Sequence, residues 1–320
     1  MSTTIARRAA DYDGHRVTVS ADDGVPLAVR VFGAENAPAT VVFVHGHCLR
    51  IESWSFLRDQ LLRQWGSDTR MVFYDHRGHG ESGMADPSTY TIDQLGHDLD
   101  AVLRTVAPTG PVILVGHSMG AMVALAYARL FPEAIGTRVV GVGLLAGAAN
   151  GVTEVGLGRF LSRRAVTSLQ AAVTHAPRAT RASKRLSRRL FAPIIREANF
   201  GTRKVNPRIV ALATAMLNDT SLLTMSSFLH SLITFDETAT LHRLGTIPAL
   251  VLAGSADIVI PFAHSVVLAS QLASSELVRL EGAGHSVMLE RAEEVALSIV
   301  GLAERAFGAV REGSGYAAAG

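Results

Sequence analysis

Gly116-His117-Ser118-Met119-Gly120 lies between an apolar run and a second run with helical character. A serine on a sharp turn between a buried strand and a helix has its hydroxyl lifted above the sheet, the setting of a nucleophile. Glycines two residues to either side let strand and helix approach without Cβ overlap. The plain alternative is an ordinary glycine-rich turn, or an anion site at a helix N-terminus. The strand before and the helix after decide for the nucleophile.

A serine needs a base to take its proton. His285, in Glu281-Gly-Ala-Gly-His-Ser286, follows the last strand, among small residues that let an imidazole reach over the sheet. His264 sits inside an apolar helical run and reads as structural. The acid that orients the base belongs between Ser118 and His285, at a strand end. The strand Val139–Leu145 ends in Ala-Gly-Ala-Ala149 without a carboxylate, and Asp236 and Glu237 fall near the end of an insertion. Asp257, after the strand Ala249–Ala253, is the remaining choice. Two backbone N–H groups should hold a developing oxyanion: that of Met119, after the nucleophile, and one from an earlier loop. His47 in His45-Gly46-His47 supplies the second, with Gly46 permitting a tight turn, and Cys48 is the second choice. Cys48, His117 and Val259, each close in sequence to one of these residues, are expected to line the substrate site.

These residues need a scaffold. Arg16–Ser20 and Leu27–Phe32 alternate apolar and polar around Ala21-Asp-Asp-Gly24 and read as an antiparallel hairpin at a sheet edge. Thr40–Val44, Arg70–Tyr74, Val112–Val115, Val139–Leu145, Ala249–Ala253 and Glu276–Leu280 read as strands. Trp54–Trp65, Thr91–Val106, Met119–Leu130, Phe262–Leu272 and Ala292–Phe307 carry helical spacing. Short buried strands alternating with helices imply a mostly parallel central sheet with helices on both faces. Residues 15–145 and 247–307 make that core. Residues 146–246 break the rhythm and read as an inserted helical cap over the strand ends, where ligands bind in open α/β sheets. Residues 1–14 and 308–320 read as flexible termini.

Val44-His-Gly46, Tyr74-Asp-His-Arg-Gly-His-Gly-Glu-Ser82, Gly116-His-Ser-Met-Gly120, and Asp257 with Gly284-His285 together resemble the α/β-hydrolase family. The wording is similar to its lid-bearing serine esterases, lipases and non-haem haloperoxidase-like hydrolases. The resemblance implies the α/β-hydrolase fold and a triad of Ser118, Asp257 and His285, with Met119 and His47 as oxyanion donors. Epoxide hydrolases and haloalkane dehalogenases of the family use an aspartate where this chain has Ser118, which argues against both. The expected activity is cleavage of a small-molecule carboxylic ester through an acyl-enzyme, with no cofactor. Perhydrolysis, thioester or C–C cleavage on the same triad, and a ligand receptor on the same fold, are the alternatives. The Asp75–Gly80 block is expected to turn the chain structurally.

Composition narrows the field further. Hydrophobic residues make up 48% and charged residues 18%, which excludes a disordered chain. A net charge of +2 argues against nucleic acid as a partner. The single cysteine, Cys48, cannot form an intrachain disulfide or a cysteine-rich metal site. The histidines gather near strand ends, but no His-Glu-x-x-His run accompanies them, so no metal is expected. Arg7-Arg8 is followed by no apolar stretch, and the uncharged run from Thr105 to Ala128 is broken by Pro108, Gly110 and Pro111. A soluble, cytoplasmic protein is the expectation. From Asn150 to Val210 there are 13 Lys and Arg against two acids, a net +11 that leaves the rest of the chain at −9. Arg178, Arg181, Lys184, Arg185, Arg188 and Arg189 concentrate it. A solvated basic face is the simplest reading; attraction of an anionic ester, or weak contact with an anionic membrane surface, is the sharper one.

Overall fold

A computed structural model of the chain describes residues 14–160, 162–175, 200–201 and 205–317. The six basic residues from Arg178 to Arg189 lie outside the described residues, as do residues 1–13. Eight strands form one sheet: β1 (His15–Ser20), β2 (Pro26–Phe32), β3 (Ala39–Val44), β4 (Thr69–Tyr74), β5 (Val112–His117), β6 (Val139–Leu145), β7 (Ala249–Gly254) and β8 (Ser275–Leu280). Their spatial order is β1-β2-β4-β3-β5-β6-β7-β8. The β1–β2 hairpin lies at one edge and joins β4 antiparallel; every pair from β4 to β8 is parallel. The sheet is therefore the mostly parallel one expected from the sequence. β3, β5, β6 and β7 are buried along their whole length, which is why they read as continuous apolar runs, whereas the edge strands β1 and β8 are mostly exposed.

The helices are α1 (Ser55–Trp65), α2 (Ile92–Val106), α3 (Met119–Leu130), α4 (Arg163–His175), α5 (Pro207–Asp219), α6 (Leu222–Ile233), α7 (Leu241–Leu244), α8 (Phe262–Gln271), α9 (Val287–Glu290) and α10 (Ala292–Ala317). Two cores flank the sheet. Val42 and Val44 pack with α2 and α3 on one face. Val41 and Phe43, one residue out of phase, pack with α1 and α10 on the other. Thr91 caps α2 by accepting the Gln94 N–H at 3.1 Å, and Asp93 follows in its first turn. α10 buries Val295, Ile299, Leu302 and Ala306 at helical spacing. It continues to Ala317, so residues 308–317 are helical rather than the frayed tail read from their small and polar composition. Ala309, Arg311 and Glu312 favour helix, and no proline stops it.

Between β6 and β7 the described residues hold helices and no strand. They touch the core at several loops. Leu157 donates its N–H to the Ile258 carbonyl at 2.8 Å. The His47 ring bonds the Met225 carbonyl and lies 6.1 Å from the Phe228 ring. Gly201 packs against Gly282, Ala283 and Gly284. Among the described residues no single helix is long and apolar enough to cross a membrane.

Candidate active site

Ser118 sits between β5 and α3 with φ 54° and ψ −118°, a left-handed backbone that costs a non-glycine residue about 1–3 kcal/mol. Bonds on both sides hold it there. Its N–H donates to the Leu145 carbonyl at 2.8 Å, and its own carbonyl accepts from Ala121 at 3.0 Å. The flanking glycines are required by contact. A Cβ on Gly116 would overlap the Gly120 carbonyl, and one on Gly120 would overlap the Val44 carbonyl. The turn is thus pressed into the end of β3.

His285 Nε2 lies 2.9 Å from Ser118 Oγ, and its Nδ1 lies 2.7 Å from Asp257 Oδ2. The second Asp257 oxygen accepts the N–H groups of Val259 at 2.8 Å and Ile260 at 3.0 Å. A carboxylate so held accepts Nδ1–H, leaving the Nε2 lone pair toward the serine. Asp257 is 5% exposed and His285 7%, while Ser118 remains half-buried, so only the hydroxyl end of the line opens outward. The three residues read from sequence are therefore brought together. His264 is not among them: it lies on α8. Glu237 is bound to Arg129 at 2.7 Å, and Asp236 caps the Thr238 turn.

The loop after β3 supplies the facing wall. Cys48, at φ 61°, makes the left-handed turn. Gly46 has a different reason from the tight turn expected of it: its φ is not positive, and a Cβ there would press on His117 Nδ1 and the Ser118 Cβ. The Cys48 N–H is taken by His79 Nε2 at 3.1 Å, which removes it as an oxyanion donor. Among the described residues no acceptor takes the N–H of Met119 or of His47.

Two of the expected lining residues also contact the members of this hydrogen-bonded line. His117 is 1% exposed and points beneath the base, with its Nε2–H on the His285 carbonyl at 2.9 Å and its ring 5.0 Å from the His285 ring. It is buried because successive residues of β5 and the turn point to opposite sides, so Ser118 faces out and His117 faces in. Desolvation, then the neighbouring His285, hold its pKa down to about 3, so it is neutral. Val259 is half-buried and serves Asp257 through its N–H. Cys48 is 5% exposed at the left-handed turn.

The Asp75–Gly80 block organises this wall, in line with its structural reading. Asp75 accepts the N–H of Ile51 and of Glu81, each at 2.8 Å. The buried Arg77 guanidinium binds Asp98 at 2.6 and 2.7 Å and Asp23 at 2.7 and 3.1 Å. His45 and His76 lie ring to ring at 4.3 Å, with His79 next to both. Among the described residues no group of histidine, cysteine or carboxylate side chains is arranged to hold a metal ion. A cavity of about 770 Å³ is lined by Tyr90, Ile92, Arg129, His230 and Phe235 and includes none of the three residues above.

Sequence reasoning missed Glu290. Its carboxylate accepts the Gly284 N–H at 2.9 Å and the Gly201 N–H at 3.0 Å. Its place five residues beyond His285 was the available signal, but the partner from the cap is visible only in three dimensions.

Comparison with known proteins agrees with this architecture. The chain is 25% identical over 295 residues to a proline iminopeptidase from Pestalotiopsis fici, covering 87% of this chain and 95% of that one. An esterase from Exiguobacterium antarcticum superposes with a TM-score of 0.73 at 21% identity, covering 90% of this chain and 98% of the other. A bromoperoxidase from Bacillus anthracis does so with a TM-score of 0.72 at 18% identity, covering 91% and 100%. At those identities the two structures speak to the fold alone. The profile of the alpha/beta hydrolase family matches residues 41–297, most of the chain and every element that carries Ser118, Asp257 and His285, and the protein belongs to that family.

Proposed function

We propose that the protein hydrolyses carboxylic esters through an acyl-enzyme on Ser118. The observation that carries this is the hydrogen-bonded line from Ser118 Oγ through His285 to Asp257, with the serine on a strained turn at the head of α3. His285 Nε2 takes the hydroxyl proton as Oγ attacks the ester carbonyl. The N–H groups of Met119 and His47 receive the oxyanion. Collapse expels the alcohol, protonated by His285. A water, deprotonated in turn by His285, attacks the acyl carbon and releases the acid and Ser118. Asp257 keeps Nδ1 protonated and stabilises the imidazolium.

The basic stretch of the cap is proposed to draw anionic esters, in solution or at an anionic lipid surface, toward this site. Support comes from its net charge and from the exposed Arg159, Arg163 and Arg164 on its described part. The test is a panel of initial rates on p-nitrophenyl esters, thioesters, a prolyl amide of the kind the iminopeptidase's name implies, and a neutral diester paired with its anionic monoester. Replacing Arg181, Lys184, Arg185, Arg188 and Arg189 with Gln should lower kcat/KM for the monoester and spare the diester. Salt should act in the same direction, since screening reaches about 10 Å at 0.1 M. A ratio unmoved by mutation and salt would leave a merely solvated face. Turnover of the amide with none of any ester would overturn the ester assignment itself.

A further inference from the structure

The segment that carries the base is held from two directions. Gly282, Ala283 and Gly284 run between the end of β7 and the cap. On one side, a Cβ on Gly254 would overlap the Ala283 and Gly284 carbonyls. On the other, a Cβ on Gly201 would overlap the Gly282 carbonyl, and one on Gly284 would strike the Phe200 and Gly201 backbone. Phe200 itself is buried and belongs to the core on the α1 and α10 face of the sheet. Backbone packed this closely cannot shift on one side without moving the other.

Glu290 joins the two sides. It ends α9, the short helix that starts two residues after His285. One carboxylate oxygen accepts the N–H of Gly284, the residue before the base; the other accepts the N–H of Gly201 in the cap. Both bonds are charge-assisted when the carboxylate is ionised, roughly twice as strong as neutral ones. The His285 carbonyl is held separately by His117. We propose that Glu290 is a positioning residue for His285, and that by gripping Gly201 with its other oxygen it ties the placement of the base to the placement of the cap. The proposal deepens the hydrolase reading of this site, but its geometry does not depend on which bond is cleaved.

Glu290→Gln tests it. The amide matches the carboxylate in size but accepts only on one side, so its NH₂ group meets one of the two N–H donors and one bond is lost. Two readouts are taken on folded wild-type and variant protein. The first is the NMR resonance of the His285 Nδ1–H proton and its exchange with solvent. The second is ester turnover per active site titrated with a fluorophosphonate. A displaced, faster-exchanging His285 resonance is expected, with kcat per titrated site down by about tenfold, the size of one charge-assisted hydrogen bond, and KM within about twofold. A residue that only stabilised the fold would reduce the number of titratable sites and leave kcat per site alone. An unchanged His285 resonance overturns the proposal whatever the ester rate does. A displaced resonance in a protein whose wild type turns over no ester would discard the ester reading and leave Glu290 in its place.

Discussion

At the scale of single residues, the geometry around His285 assigns each neighbour a different task. Asp257 fixes one ring nitrogen, His117 and Glu290 fix the backbone on either side of the ring, and Ser118 takes the free lone pair. Asp257→Asn keeps the shape but presents an amide that can donate to Nδ1 and favour the wrong imidazole tautomer. Turnover should fall by about 10³–10⁴-fold with the fold intact. If Asp257→Asn kept wild-type kcat while Asp236→Asn lost it, the acid would be misassigned. The residue types and order in the sequence were enough to pick out the three side chains that the fold brings together, Ser118, Asp257 and His285, because an elbow, a strand-end acid and a late histidine each leave a local mark. The difference between Cys48 and His47 rests on a single bond to His79 from a distant loop, and the inward turn of His117 on what lies beneath it. Neither leaves a mark in the local sequence.

At the scale of elements, the strand–turn–helix unit is set by backbone contact more than by side chains. Gly120 touches the Val44 carbonyl so closely that a methyl group there must push α3 away from β3. Gly143, in β6, offers a useful contrast. The nearest atoms to a Cβ there would be those of the Val115 and Leu302 side chains, at 3.4 Å and beyond, in ordinary contact. Gly120→Ala should cost more than about 3 kcal/mol or prevent folding, at the upper end of single-substitution effects. Gly143→Ala should lie within about 1 kcal/mol of wild type, since glycine has no conformational advantage in a strand. Urea unfolding followed by circular dichroism separates the two; equal effects would contradict the contact argument. Element positions were readable to within a residue or two wherever apolar periodicity was strong, as in Met119–Leu130 and Val139–Leu145. The short α9 escaped because four residues carry no period, and the end of α10 because small residues read as a tail.

At the scale of the whole molecule, the buried histidines set the response to acid. His45, His76, His79 and His117 are all held below their ordinary value by desolvation, and all but His79 also by neighbouring imidazoles: His76 and His117 to about 3, His79 to about 4, and His45 well below 6.5. The unfolded chain takes up these protons near pH 6.5, and the folded chain only well below it. Stability is therefore full above pH 6.5 and lost as the pH falls from there toward 4, by up to about 1.4 kcal/mol per pH unit for each histidine. Asp75, raised by burial to about 6, acts in the opposite direction between its ordinary 3.8 and that value, and offsets one of the four. The urea midpoint should drop steeply between pH 7 and pH 5; a flat or rising midpoint would mean that the histidines are not buried neutral. His79 links this response to the site, because its Nε2 can accept the Cys48 N–H only while unprotonated.

If Ser118 is the nucleophile, it must carry the acyl group between the two half-reactions, and that intermediate can be trapped. Wild-type enzyme mixed with a p-nitrophenyl ester is quenched in acid within the first turnovers, digested and analysed by mass spectrometry. An added acyl mass is expected on the peptide containing Ser118, and for folded Ser118→Ala no adduct and a loss of turnover of about 10³-fold or more. An acyl group found on Cys48 instead, or near-normal hydrolysis by folded Ser118→Ala, would contradict that role for Ser118.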